Sequence, residues 1–296
     1  MSEHRSGMRR RQNDVRQGAE TESPITMGTQ RDYSGSPNWG PSRSQTTRVG
    51  GEGLVTPQKA GSVVSSFVDQ MARAPQLGFG APLSDQPGSV PVSADKRSRG
   101  GGGSGGGGGG SLRTRGSART VARAVGGFLA DVRTKGFREA LADLGLNDLS
   151  GKTPDEIAFA LADLLGGPSS LIEQAALRDA LMALVLAWSE GVKGLEGLAQ
   201  SVTAVAQSIE TALREFFGHY IFEVFKTVGY QGVLAAHGFE KAESMAGQIR
   251  DFITAKIATV EASRPISSVD WNGNAGAVIV DGIVADTIAI FGEPQT

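Results

Sequence analysis

His219 is the residue best placed to do chemistry, because Glu215 and Glu223 stand four positions to either side of it. On a helix that spacing puts both carboxylates on the imidazole's face, and such pairs stabilise a helix by about 0.2–0.5 kcal/mol. The chain has three histidines. His4 lies in a polar tail and His237 precedes a glycine. Neither His219 nor His237 has the His-Glu-x-x-His pattern or a carboxylate set at ligand spacing, so the residues point to partly buried, hydrogen-bonded imidazoles and to no metal. A stand-alone enzyme would need a polar pocket with perturbed groups around His219.

Other nucleophiles fare no better. With no cysteine there is no disulfide, thiol nucleophile or thiolate metal site, which fits a reducing compartment such as the cytoplasm. No Gly-x-Ser-x-Gly elbow occurs. The stretch "GLNDLSGKT" has five residues between its glycine and Gly-Lys-Thr, where a phosphate-binding loop has four, and a helical pattern precedes it instead of a strand. A linker followed by a helix cap accounts for it. The residues therefore predict a protein without catalysis and without a cofactor.

The elements that would carry these residues are helices. In "SARTVARAVGGFLADVRTKG", Val121, Val125, Phe128, Leu129 and Val132 recur at helical spacing and Gly136 ends the run; a short helix, "FREALADLG", follows. Thr153, Pro154 and Glu156 supply a cap, a first-turn proline and a capping-box acid for a helix burying Ile157, Leu161, Leu164 and Leu165. "SSLIEQAALRDALMALVLAWSE" has a serine cap and a broad apolar face, which predicts a helix at the centre of the domain. One long helix is expected from Leu195 to Val228, with an aromatic-rich second half, then another through Met245, Ile249, Ile253 and Ile257. "GAVIVDGIVADTIAIF" mixes strand-favouring residues with helical spacing and is assigned to helix. No run of eighteen apolar residues long enough to cross a bilayer is seen, which predicts no membrane association.

Ahead of these helices the composition changes. The first 120 residues carry 16 Lys and Arg against 9 Asp and Glu, so a basic arm precedes an acidic body although the whole chain has a net charge of −2. "RGGGGSGGGGGGS", with its Gly-rich core at 100–111, reads as a flexible linker. The expected architecture is mainly α: a disordered, low-complexity arm over residues 1–112 and a single all-α domain over 113–296. Within the arm only "GSVVSSFVDQMARA" has helical periodicity, through Val64, Phe67, Val68 and Met71, and suggests a short recognition helix. The arm's charge also allows nucleic-acid binding, with Lys96, Arg97, Arg99, Arg113, Arg115 and Arg119 facing phosphates and Tyr33 and Trp39 stacking on bases.

The arm contains "MGTQRDYSGSPNWGP", residues 27–41. This stretch resembles the start of the QatB family, a component of the four-gene Qat antiviral defence system of bacteria. The likeness continues through the glycine-rich linker, "GSARTVARAVGGFLADVRTKG" and "ALADLGLNDLSGKTPDEIAFALADLL" into the C-terminal helices. It implies an adaptor and substrate protein whose N-terminal glycine is a candidate for attachment of a 7-deazaguanine by a QueC-like (QatC-like) partner enzyme. The implied site is Met27 and Gly28 for processing and modification, with Thr29, Arg31, Tyr33, Gly35, Pro37 and Trp39 for recognition by that enzyme. A QatA-like ATPase and a QatD-like, TatD-related nuclease are the other partners the resemblance implies. The segment before Met27 departs from the family's usual start. If it is retained, Gly28 is an ordinary internal glycine.

Overall fold

The structure, a computed structural model, describes residues 37–53, 55–74, 77, 118–148, 151–166, 172–260 and 269–292. Among these, every long regular element is an α-helix and none is a strand: α1 (Gly40–Gly51), α2 (Pro57–Ala72), α3 (Ala118–Lys135), α4 (Phe137–Asp143), α5 (Pro154–Gly166), α6 (Ile172–Ser189), α7 (Gly194–Val205), α8 (Ile209–Phe225), α9 (Gln231–His237), α10 (Phe239–Ala258) and α11 (Asn274–Gly292). The mainly-α expectation holds, and the ambiguous last segment is helix.

Local chemistry explains the boundaries. Gly136 has φ 95 and Gly238 has φ 84, a backbone region that side chains resist, so α3 turns into α4 and α9 into α10 at these residues. At α5 the capping box forms as the sequence predicts: the Glu156 N–H donates to Thr153 Oγ1 at 3.2 Å, and the Thr153 N–H donates to Glu156 Oε2 at 2.7 Å. The Thr153 N–H, and after it the Thr153 hydroxyl, which donates to the same oxygen at 3.1 Å, hold the Glu156 carboxyl below its ordinary value. The serines expected to cap α6 fall outside the described residues.

Two expectations about the helices are corrected. The centre is α8, not α6. Fourteen of the seventeen residues of α8 are buried, among them Ile209, Leu213, Phe216, Phe217, Tyr220, Ile221, Val224 and Phe225, and α2, α3, α6, α10 and α11 all pack on it. Only Thr211 and Glu215 of α8 are exposed, whereas α6 has a wider exposed edge that includes Arg178 and Asp179. The expected single helix from Leu195 to Val228 is also divided. A 3-10 turn at Ala206–Ser208 separates α7 from α8, with Ser208 at φ −129 and ψ 58, and a π-turn at Lys226–Tyr230 joins α8 to α9. Apolar spacing runs on across both breaks, so periodicity alone could not locate them.

The folded unit also starts well before Arg113. Helices α1 and α2 fall inside the stretch assigned to the arm, and both belong to the core. Val63, Val64, Phe67, Val68 and Met71 are fully buried, and α2 packs against α1, α8, α10 and α11. The periodicity read as a recognition helix is a core stripe. Its start repeats the logic of α5, with Thr56 accepting the Lys59 N–H at 3.4 Å and Pro57 in the first turn.

α11 calls for a further correction, because Asn274–Phe291 is long and apolar enough to cross a membrane by length and composition. In the fold it packs on α2, α3, α8 and α10. Both of its acids are paired with arginines of other helices, Asp281 with Arg119 and Asp286 with Arg214. Those pairs tie the helix into the body.

Candidate functional site

Of the residues assigned to modification and recognition, Met27, Gly28, Thr29, Arg31, Tyr33 and Gly35 lie outside the described residues. Pro37 is half-buried where the described chain begins. Trp39 does not fit a recognition role, because only 2% of it is exposed and its ring centre lies 5.8 Å from that of Phe67. Phe67 in turn meets Phe225 edge-on at 5.9 Å. Trp39 thus plugs the root of the arm into the centre of the body through contacts between aromatic rings.

The nucleic-acid reading loses two of its named residues for the same kind of reason. Trp39 has no face to offer a base, and Arg119 is committed to Asp281. Lys96, Arg97, Arg99, Arg113, Arg115 and Tyr33 lie outside the described residues.

His219 is where the structure adds most. It lines a cleft of about 660 Å³ between α8 and α10, with Glu215 and Phe222 beside it on α8 and Arg250, Ile253 and Ile257 facing them from α10. Clefts of this size accept small molecules. Burial, with the Arg250 charge as a second cause, pushes the imidazole below its ordinary value. Partial burial in the cleft pushes the Glu215 carboxyl up. The Arg250 guanidinium lies 4.7 Å from the centre of the Phe222 ring, close enough for a cation–π contact. Glu223, the other acid that the helical spacing offered to His219, turns to Lys226 at 2.8 Å instead.

The place where an enzyme would need a polar pocket therefore does hold a cleft with two perturbed groups. Sequence spacing gave the α8 half, Glu215 and His219. It missed Arg250, whose only sequence signal is its register with Ile253 and Ile257 on α10. His237 has a structural role: its Nε2–H donates to the Thr47 carbonyl at 2.8 Å and fastens α9 to α1. Among the described residues no group of histidines and acids could hold a metal ion.

A family model described as QatB, Qat anti-phage system associated protein QatB, matches residues 106–291. That span takes in α3 to α10 and nearly all of α11. The match does not extend to α1, α2 or the Met27 motif. None of the curated proteins and none of the solved structures matches the chain.

Proposed function

The chain belongs to the QatB family and is a component of a Qat anti-phage defence system; from that premise we propose that it serves the system as an adaptor and as the substrate of a modifying enzyme. In this reading the protein has no catalysis of its own and works in the cytoplasm. Its N-terminal segment, once exposed at Gly28 by proteolysis or by a start at Met27, enters the active site of a QueC-like partner. The glycine amine there receives a 7-deazaguanine. The helical body meets the other components, an ATPase and a TatD-like nuclease.

One observation carries the proposal beyond the family assignment. Gly28 stands eleven positions before Trp39, and Trp39 is where the chain is locked into the core. A residue delivered to a partner's active site needs chain ahead of a fixed root, and about eleven residues span up to roughly 36 Å when extended. Recognition of the segment by the partner then rests on Thr29, Arg31, Tyr33, Gly35 and Pro37, because the Trp39 side chain is occupied.

The test is intact mass and N-terminal sequencing of the protein purified with and without its neighbouring genes. A chain beginning at Gly28 and carrying the mass of a deazaguanine only when the neighbours are present is the expected result. A chain unmodified in both preparations overturns the substrate role.

A further inference from the structure

The α8–α10 cleft carries two charges of opposite sign, and among the described residues neither has an ion-pair or hydrogen-bond partner. Their places follow from the direction of the helices. Arg214 Nη1 donates to the Val260 carbonyl at 3.3 Å, a Cβ on Gly218 would strike Ile257, and Arg250 lies over Phe222. As α8 advances, α10 runs back. Glu215 therefore belongs to the Ile257 and Val260 end of the cleft, and Arg250 to the Phe222 end.

Glu215, His219 and Phe222 are at positions i, i+4 and i+7 of α8, so the two ends are about 10 Å apart along the helix. Between them the α10 wall is mostly apolar, formed by Ile253 and Ile257 with the Thr254 hydroxyl as its one polar group, and the His219 ring is the one polar group on the α8 side of that middle stretch. An apolar trough with a carboxylate at one end and a guanidinium at the other complements a molecule of the same length with the charges reversed.

We propose that this cleft binds a small dipolar molecule, with an amine against Glu215, a carboxylate against Arg250 and an apolar middle along Ile253 and Ile257. An ω-amino acid and a short free peptide of about three residues share that chemistry. The His219 ring, which lies between the two ends, hydrogen-bonds whatever polar group the middle of the ligand presents. Burying the ligand's methylenes adds affinity that neither charge supplies alone.

The test is calorimetric titration of the full-length protein with 8-aminooctanoate, octanoate, octylamine and trileucine, together with NMR observation of the His219 ring protons. Saturable one-to-one binding of 8-aminooctanoate or trileucine is expected, with a shift of the His219 resonances and affinity at least about tenfold above octanoate and octylamine. Preference for trileucine identifies the ligand class as peptide, and preference for 8-aminooctanoate as a non-peptide amino acid. E215Q should reduce 8-aminooctanoate to the level of octanoate, and R250Q to that of octylamine. Both residues are exposed at the rim, so these variants stay folded. Absence of saturable binding by either dipolar probe, or equal binding of all four compounds, overturns the proposal.

Discussion

The guanidinium of Arg214 meets the carboxylate of Glu210 at 2.6 Å, one turn apart on α8, with 3% and 2% of the two side chains exposed. Arg178 and Asp163 also lie 2.6 Å apart, but with 47% and 65% exposed. Burial sets the difference in consequence. Removing Glu210 leaves the buried Arg214 guanidinium with the partly exposed Asp286 carboxylate at 3.3 Å to balance it, and breaking a buried pair costs up to about 3–5 kcal/mol. An exposed pair contributes about 0–1 kcal/mol. Urea denaturation should therefore show a large loss for E210A and a small one for D163A.

Trp39 gives a second prediction. Truncating a buried tryptophan costs about 3–5 kcal/mol, so W39A should lower the urea midpoint sharply, and W39F much less, because Phe67 keeps an aromatic neighbour. Any loss of partner binding in W39A would then follow from a damaged fold. Recognition by a modifying enzyme is better tested at Arg31 or Tyr33.

Two adjacent glycines on α3 make an internal control. A Cβ on Gly126 would lie 2.5 Å from the Trp271 ring, whereas one on Gly127 would sit 3.5 Å from the Trp271 Cβ, an ordinary contact. Glycine to alanine in a helix interior gains about 0.5–1 kcal/mol by itself. G127A should keep that gain in thermal denaturation. Overpacking against a fully enclosed ring costs about 1–3 kcal/mol, so G126A should be less stable than the parent, with altered indole fluorescence.

The pH dependence of stability should have two opposing parts from the cleft. His219 takes up a proton less readily in the fold than in the unfolded chain, so its contribution is complete above the unfolded value of about 6.5 and is lost as pH falls from there through the lowered folded value. Glu215 holds its proton to higher pH in the fold, so its contribution is present at low pH and lost as pH rises through its raised carboxylate range. H219Q should flatten the loss on the acid side and E215Q the loss on rising pH. Urea midpoints between about pH 4 and 7.5 measure both.

The sequence was most readable where the signal is local. Thr153, Pro154 and Glu156 marked the start of α5, Gly136 marked the end of α3, and the apolar spacings of α3 and α10 identified their buried faces. It was misread where tertiary context decides. Thr56 and Pro57 repeat the cap pattern of Thr153 and Pro154, but the glycine-rich surroundings made α2 look like part of an arm. The breaks at Ala206–Ser208 and Lys226–Tyr230 leave no mark in hydrophobic spacing, since both sides stay apolar. In the cleft, Glu215 and His219 share one helix and could be paired from spacing. Arg250 reaches them only through the antiparallel packing of α8 and α10, which no window along the chain contains.

Because α1 and α2 are built into the core and α3 is the next described helix, at Ala118, the described core joins a stretch of chain before residue 78 to one after residue 117. Contacts of α2 with α8, α10 and α11, and of α1 with α9, join them. A single protease cut between residues 78 and 117 would leave two fragments that co-elute in gel filtration and part only in denaturant. A trimmed protein beginning at residue 106, where the family match begins, would lose a wall: the surfaces of α8, α10 and α11 that cover Phe67 and Met71 would face water, and aggregation would follow. Expression of the 106–296 portion would regain solubility when residues 37–77 are supplied as a separate chain.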